Sequence, residues 1–288
     1  MRRPETGRLL ILYVSRASAR PASLIWLYDT QSIAHVKGRF LRAPRFFGII
    51  CSVKRTDGKD GTDMKHSEKT CLCTGAGALL AFILFTLLVR LLDVRAVGPM
   101  GSEVGFAAVN AWFHRLTGVH MVLYAVTDWL GLVPVFICFC FGVLGLIQLI
   151  KRRSLRRVDP DVILLGVYFF IVILAYLVFE AVPINFRPVT IDGRLEASYP
   201  SSTTLLVLSV MPAFAFQTDR RCRSAAIRAA ARVFAAVFSA FMATGRLVSG
   251  VHWLTDIAAS VLLSAGLFLL YRAAVGFSDG KRRKRGIQ

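Results

Sequence analysis

Long apolar runs decide what this chain can become. Stretches near 72–92, 129–150, 162–182, 204–216, 226–244 and 255–275 mostly reach the roughly 20 residues that a helix needs to cross the hydrocarbon core of a bilayer. The fourth is short unless the polar Ser201 to Thr204 are counted with it. In lipid every backbone polar group must be satisfied internally, which leaves helices and closed barrels. Continuous runs without strict alternation exclude the barrel. The expected fold is therefore an all-α integral membrane bundle of six helices. A chain that is 55% hydrophobic, with a mean hydropathy of +0.57, is not a soluble domain.

The net charge of +19 could suggest nucleic acid as a partner, but the basic residues gather in particular loops. Lys151, Arg152, Arg153, Arg156 and Arg157 follow the second run, Arg220, Arg221, Arg223 and Arg228 the fourth, and Lys281 to Arg285 the sixth. Loops rich in Lys and Arg stay on the cytoplasmic side. We therefore expect a multi-pass protein of a bacterial plasma membrane with both termini cytoplasmic, the alternate loops outside, and no nucleic acid partner. Cys71 with Cys73 and Cys138 with Cys140 are spaced by one residue, which fits neither a zinc knuckle nor a redox pair, and reads as small apolar filling.

Residues 1–69 hold many Arg and Lys and no run long enough to span. They read as a disordered basic tail, an Arg-rich transit peptide, or translated upstream sequence ahead of a natural start at Met64; the last is favoured, because Met64 to Lys69 resembles a short basic lead-in to a first crossing. The membrane domain is expected over 70–276, and a basic cytoplasmic tail over 277–288.

Three polar segments fall on the expected outer side. Gly245 to Asp256 sets Arg246, His252 and Asp256 between two apolar runs. With a helix starting near Gly250, His252 and Asp256 would share a face one turn apart, leaving one imidazole nitrogen to attack. Arg246 could hold an anion by forked contacts, although a polar trio beside a membrane helix also serves simply to cap and anchor it. Arg187, held extended by Pro188, is a second candidate anion ligand. Ser201, Ser202 and Thr203 follow Pro200 at the start of the fourth run, and a helix N-terminus there would offer unpaired N–H groups to phosphate.

In this order and spacing the chain resembles the type-2 phosphatidic acid phosphatase superfamily of membrane lipid phosphatases, which is related to vanadium haloperoxidases. The resemblance covers about 74–275. Arg246, His252 and Asp256 match its last motif, with Gly245 where the family has Ser; Arg187-Pro188 and Pro200-Ser201 match the first two. The resemblance implies that His252 attacks phosphorus to give a phosphohistidine, that Asp256 orients it, and that Arg187, Arg246 and Ser201 hold the phosphoryl oxygens. It also implies six crossings with the site at the outer face, and no metal or cofactor. The five scattered His residues give no metal-ligand spacing either.

Two positions depart from the pattern. Glu180 stands where the family has Lys, and Thr203 where it has the His that protonates the leaving oxygen. A hydroxyl cannot serve as a general acid near neutral pH, and losing that acid typically costs about 10² to 10⁴ in rate. Three accounts follow: a leaving group that needs little protonation, as in a polyprenyl diphosphate; a proton from His114 or His120 in the outer loop 95–127; or a phosphate pocket that has lost turnover. The function expected is removal of phosphate from a lipid phosphate or diphosphate, with a non-catalytic lipid-phosphate binder as the alternative and oligomeric state left open. Val104 to Phe113 suggest an amphipathic helix at the membrane surface, for packing or for guiding a headgroup. Tyr124, Asp128 and Trp129 read as interfacial anchors.

Overall fold

The computed structural model describes residues 61–284 and Gly286, with side chains from Ser67 onwards; the expectation for residues 1–60 lies outside the described residues. Eight α-helices run among them: α1 Gly61–Leu91, α2 Ala107–Thr117, α3 Met121–Leu130, α4 Leu132–Arg152, α5 Pro160–Ala181, α6 Ser202–Arg221, α7 Ala225–Val248 and α8 Leu254–Lys284. Only isolated antiparallel bridges interrupt the helical character of these residues. The all-α expectation holds. Residues 61–69 belong to the first helix and 277–284 to the last, so the helices run past both expected domain boundaries.

Among the described residues five segments are long and apolar enough to cross a membrane: Ser67–Leu91, Met121–Arg152, Pro160–Ala181, Ala225–Val248 and Leu254–Lys284. The protein is an integral, multi-pass membrane protein. The second begins eight residues earlier than the apolar run, with α3 feeding into α4 through Gly131. The expected fourth crossing is a helix of 20 residues, α6, but it does not reach the apolarity of the others. Its burial explains why: Thr204, Ser209 and Gln217 are all 0% exposed, so α6 is shielded from lipid by α4, α5, α7 and α8. A helix enclosed by helices can carry polar side chains that a lipid-facing one cannot.

α1 packs along α8, and a Cβ added at Gly266 would lie 2.6 Å from a methyl of Leu79, a small-residue approach of the kind that brings helices close in membranes. The core between α5, α6 and α8 is aromatic. Tyr168 stacks on Tyr271 with centroids 4.9 Å apart and donates to the Ser209 carbonyl at 3.0 Å.

At the C-terminal end of α6 lies a polar knot. Arg221 pairs with Asp161 of α5 at 2.8 Å, Arg220 with Asp279 of α8 at 2.8 Å, and Gln217 bonds both Arg221 and the Tyr271 hydroxyl. The N-terminal end of α6 faces the candidate site.

Candidate active site

Three loops meet at the N-termini of α6 and α8. Residues after α5 bring Arg187, those before α6 bring Ser198 to Ser201, and those between α7 and α8 bring His252. They are laced together by main chain: Ser198 N–H donates to the Asn185 carbonyl at 2.9 Å, and Ser201 N–H to the Asp256 carbonyl at 3.3 Å. The Trp253 indole donates to the Phe186 carbonyl at 2.7 Å. These bonds fix the spacing between the arginine and histidine loops.

The His252 loop depends on Gly250, which takes φ +72°; a Cβ there would lie 2.0 Å from the Gly118 carbonyl oxygen. Only glycine suits both the left-handed conformation and that approach. α8 begins at Leu254, so His252 precedes the helix, contrary to the start expected near Gly250. The reason is Asp256, whose carboxylate accepts the Trp253 N–H at 2.9 Å and closes the first turn. His252 and Asp256 still face each other, with Nδ1 3.6 Å from Oδ2, longer than a hydrogen bond.

On the other ring nitrogen, the Arg246 guanidinium lies 3.2 Å from Nε2 of His252. Arginine can only donate, so Nε2 carries the lone pair and the ring proton sits on Nδ1, towards Asp256. His252 is 3% exposed. Burial, then the positive charges of Arg246 and Arg187, hold its pKa well below the ordinary imidazole value, against a weaker opposite pull from the Ser198 carbonyl. The ring is held neutral.

Both arginines lie over one ring. The Tyr124 centroid is 4.8 Å from the Arg246 guanidinium carbon and 5.9 Å from that of Arg187, and Asp128 approaches Arg246 at 3.4 Å. Tyr124 and Asp128, expected as interfacial anchors, thus also contact the arginines of the site. Arg187 pairs with Glu196 at 3.0 Å, yet its NH1 is buried without a hydrogen-bond partner. Buried polar atoms are nearly always satisfied, and the neighbouring Asp256 carboxylate draws on the side chains of Ser198 and Asn185.

A cavity of about 240 Å³ opens beside His252, lined also by Arg187, Ser198, Ser202, Glu180 and Glu196. Ser202 and the first turn of α6 face it with N–H groups that lack intrahelical partners. Ser201 and Thr203, expected beside them, are turned elsewhere: the Ser201 hydroxyl meets that of Thr204 at 3.0 Å, and the Thr203 methyl lies 3.4 Å from where a Cβ on Gly131 would be. His114 and His120 are held to main chain, His114 Nε2 at 3.2 Å from the Gly250 carbonyl and His120 Nε2 at 2.8 Å from that of Thr117. Neither lines the cavity. α2 is tied to the head of α8, where Asn110, 1% exposed, bonds both Thr255 N and its hydroxyl.

Residues 162–278 match the model of the PAP2 superfamily. Over this segment the chain is similar to that superfamily. No curated protein matches the chain. A crystal structure of a transmembrane PAP2 type phosphatidylglycerolphosphate phosphatase from Bacillus subtilis is similar in fold, with a TM-score of 0.50 at 18% identity, covering 71% of this chain and 96% of that one. The PAP2 segment contains Arg187, Arg246, His252 and Asp256, whereas Asn110, Tyr124 and Asp128 precede it.

Proposed function

We propose that this PAP2 protein removes a phosphate group from a membrane lipid phosphate or diphosphate at the outer face of the membrane, through a phosphohistidine on His252. One observation carries the reading: a buried, neutral histidine with its lone pair on Nε2 shares a cavity with an arginine whose NH1 has no partner. In the proposed step the incoming phosphoryl group draws Arg246 from Nε2 onto a phosphoryl oxygen, which frees the lone pair for attack. Arg187 and the first-turn N–H groups of α6 take the other oxygens. As the N–P bond forms, the P–O bond to the lipid breaks and the lipid alcohol or phosphate departs; the imidazole becomes cationic, and the 3.6 Å gap to Asp256 closes to a charge-assisted hydrogen bond. Ser202 holds an oxygen at the cavity wall, while Ser201 and Thr203 act by shaping the head of α6. Water then hydrolyses the N–P bond.

The test is phosphate release by the purified, detergent-solubilised protein from phosphatidic acid and from a polyprenyl diphosphate, with H252A beside it. Release that vanishes in H252A, with a phosphoenzyme trapped in the parent protein, is the expected result. Binding without release would favour a second reading, a lipid-phosphate binder, for which the Arg246 contact to Nε2 is the supporting observation. Because the Thr203 methyl lies against Gly131 and Thr203 does not line the cavity, T203H is expected to bring no gain on either a monoester or a diphosphate; a gain on the monoester would place position 203 in the site.

A further inference from the structure

A second cavity, of about 400 Å³, runs along α6 towards the end that faces away from His252. α7 and α8 both pack along α6 but touch each other little, so a groove opens between them with α6 as its floor. Each helix lines it with one stripe at helical spacing: Pro212, Phe216 and Asp219 on α6, Arg232, Ala236 and Ser239 on α7, Phe268 and Arg272 on α8. Val233, Val237 and Phe241 beside the α7 stripe are exposed, on a helix apolar enough to cross the membrane, so the groove opens to lipid.

Contacts within the groove fix where its charges stand. The Arg232 guanidinium approaches the Asp219 carboxylate at 3.5 Å, and that of Arg272 lies 5.6 Å from the Phe216 centroid. Phe216 and Asp219 are one turn apart on the same face of α6, so the two arginines stand at the same end of the groove, one on each wall. Arg220 also reaches Phe216, at 5.7 Å, but is held by Asp279 and Asp161. Arg272 is exposed and pairs with no carboxylate among the described residues. Two guanidinia therefore face one carboxylate. Deeper in, the lining is apolar apart from Ser239, whose hydroxyl is buried without a hydrogen-bond partner.

We infer that this groove holds a diacyl phospholipid of net negative headgroup, its phosphate between Arg272 and Arg232 and an acyl chain along α6. Any acyl chain can fill an apolar groove; the surplus guanidinium selects the headgroup, because its forked donors suit phosphate oxygens. Ser239, about 10 Å deeper along α7, donates to the ester oxygens. Arg223 and Arg228 lie at the same end of the bundle, the end expected in the cytoplasm, and the cytoplasmic leaflet is the one rich in anionic lipid. In that place the lipid braces α7 against α8, the helices joined by the His252 loop.

The experiment is native mass spectrometry of the full-length protein released from detergent micelles, titrated with dioleoyl phosphatidylserine or dioleoyl phosphatidylcholine. One phosphatidylserine should be retained in preference to phosphatidylcholine. Its dissociation constant should rise about fivefold in R272Q and about 25-fold in R232Q/R272Q, a factor of about five for each basic residue at an anionic lipid surface. A236L, which fills the groove and leaves both charges, should lose the retained lipid, whereas R272K should keep most of the preference. Equal retention of the two lipids by the parent protein, or phosphatidylserine binding unchanged in R232Q/R272Q or in A236L, overturns the inference. So does a loss in R272K as large as in R272Q, which would tie the effect to packing on Phe216, or a dimer that comes apart in A236L, which would place a second copy of the chain in the groove.

Discussion

Between His252 and Arg246, 3.2 Å apart, a lone pair and a positive charge share one buried contact, and that pairing governs how the site responds to pH. The imidazole pKa is lowered, so the ring stays neutral as pH falls through its ordinary value of about 6.5. The acid limb of kcat/KM is therefore expected below pH 6.5, and an inflection at or above it would show that another group is being titrated. Stability follows the same sign: the unfolded chain takes up a proton below about pH 6.5 that the folded chain refuses, so folding is weakened as pH falls. H252Q should flatten the acid part of a melting-temperature profile. Under the same two arginines, Y124A should lower kcat/KM by roughly 3- to 30-fold, the range of a partly desolvated cation–π contact, whereas Y124F stays near the parent. Arg246, His252 and Asp256 could be grouped from the sequence because one local segment carries all three, and Arg187 through its match to a family motif. Tyr124, Asn110 and Ser198 could not, since an aromatic or amide acquires a role only through partners distant in the chain.

Elements explain a departure that the residues alone do not. Gly245 occupies a position where the related family carries Ser, and a Cβ there would lie 2.8 Å from the Thr127 methyl, so α7 can approach α3 at this level only without a side chain. G245S should therefore lower thermal stability and activity together, and T127A should recover most of both; a G245S protein indistinguishable from the parent would remove this steric account. Continuous apolar runs made α4, α5 and α7 readable to within a few residues, whereas α1 and α8 extend about ten residues beyond their runs into polar sequence. They failed at α6, because a helix surrounded by other helices need not be uniformly apolar, and at α3, whose mixed polar and apolar residues look like a loop until they are seen lying against α7. The start of α8 was misplaced because the capping carboxylate of Asp256 sits four residues past His252, and sequence cannot distinguish a cap from a catalytic partner.

For the molecule as a whole, the Arg221–Asp161 knot and the site lie at opposite ends of α6, about 30 Å apart along a helix of this length. Arg221 is 3% and Asp161 8% exposed, so D161N would leave a buried guanidinium poorly matched, a change that costs about 3–5 kcal/mol in other proteins. Thermal unfolding in detergent should drop by several degrees while KM stays within about twofold; an equal loss in KM would mean that the two ends are coupled. The side chains that seat His252 come from both halves of the chain: Tyr124 lies beneath the arginines, and Asn110 clasps the head of α8. A fragment beginning at residue 162 would hold every residue by which this chain is recognised and still lack the floor on which its two arginines rest. The smallest unit able to work is therefore larger than the smallest unit that can be recognised, and shortening the protein to its signature would keep its ancestry and discard its tool.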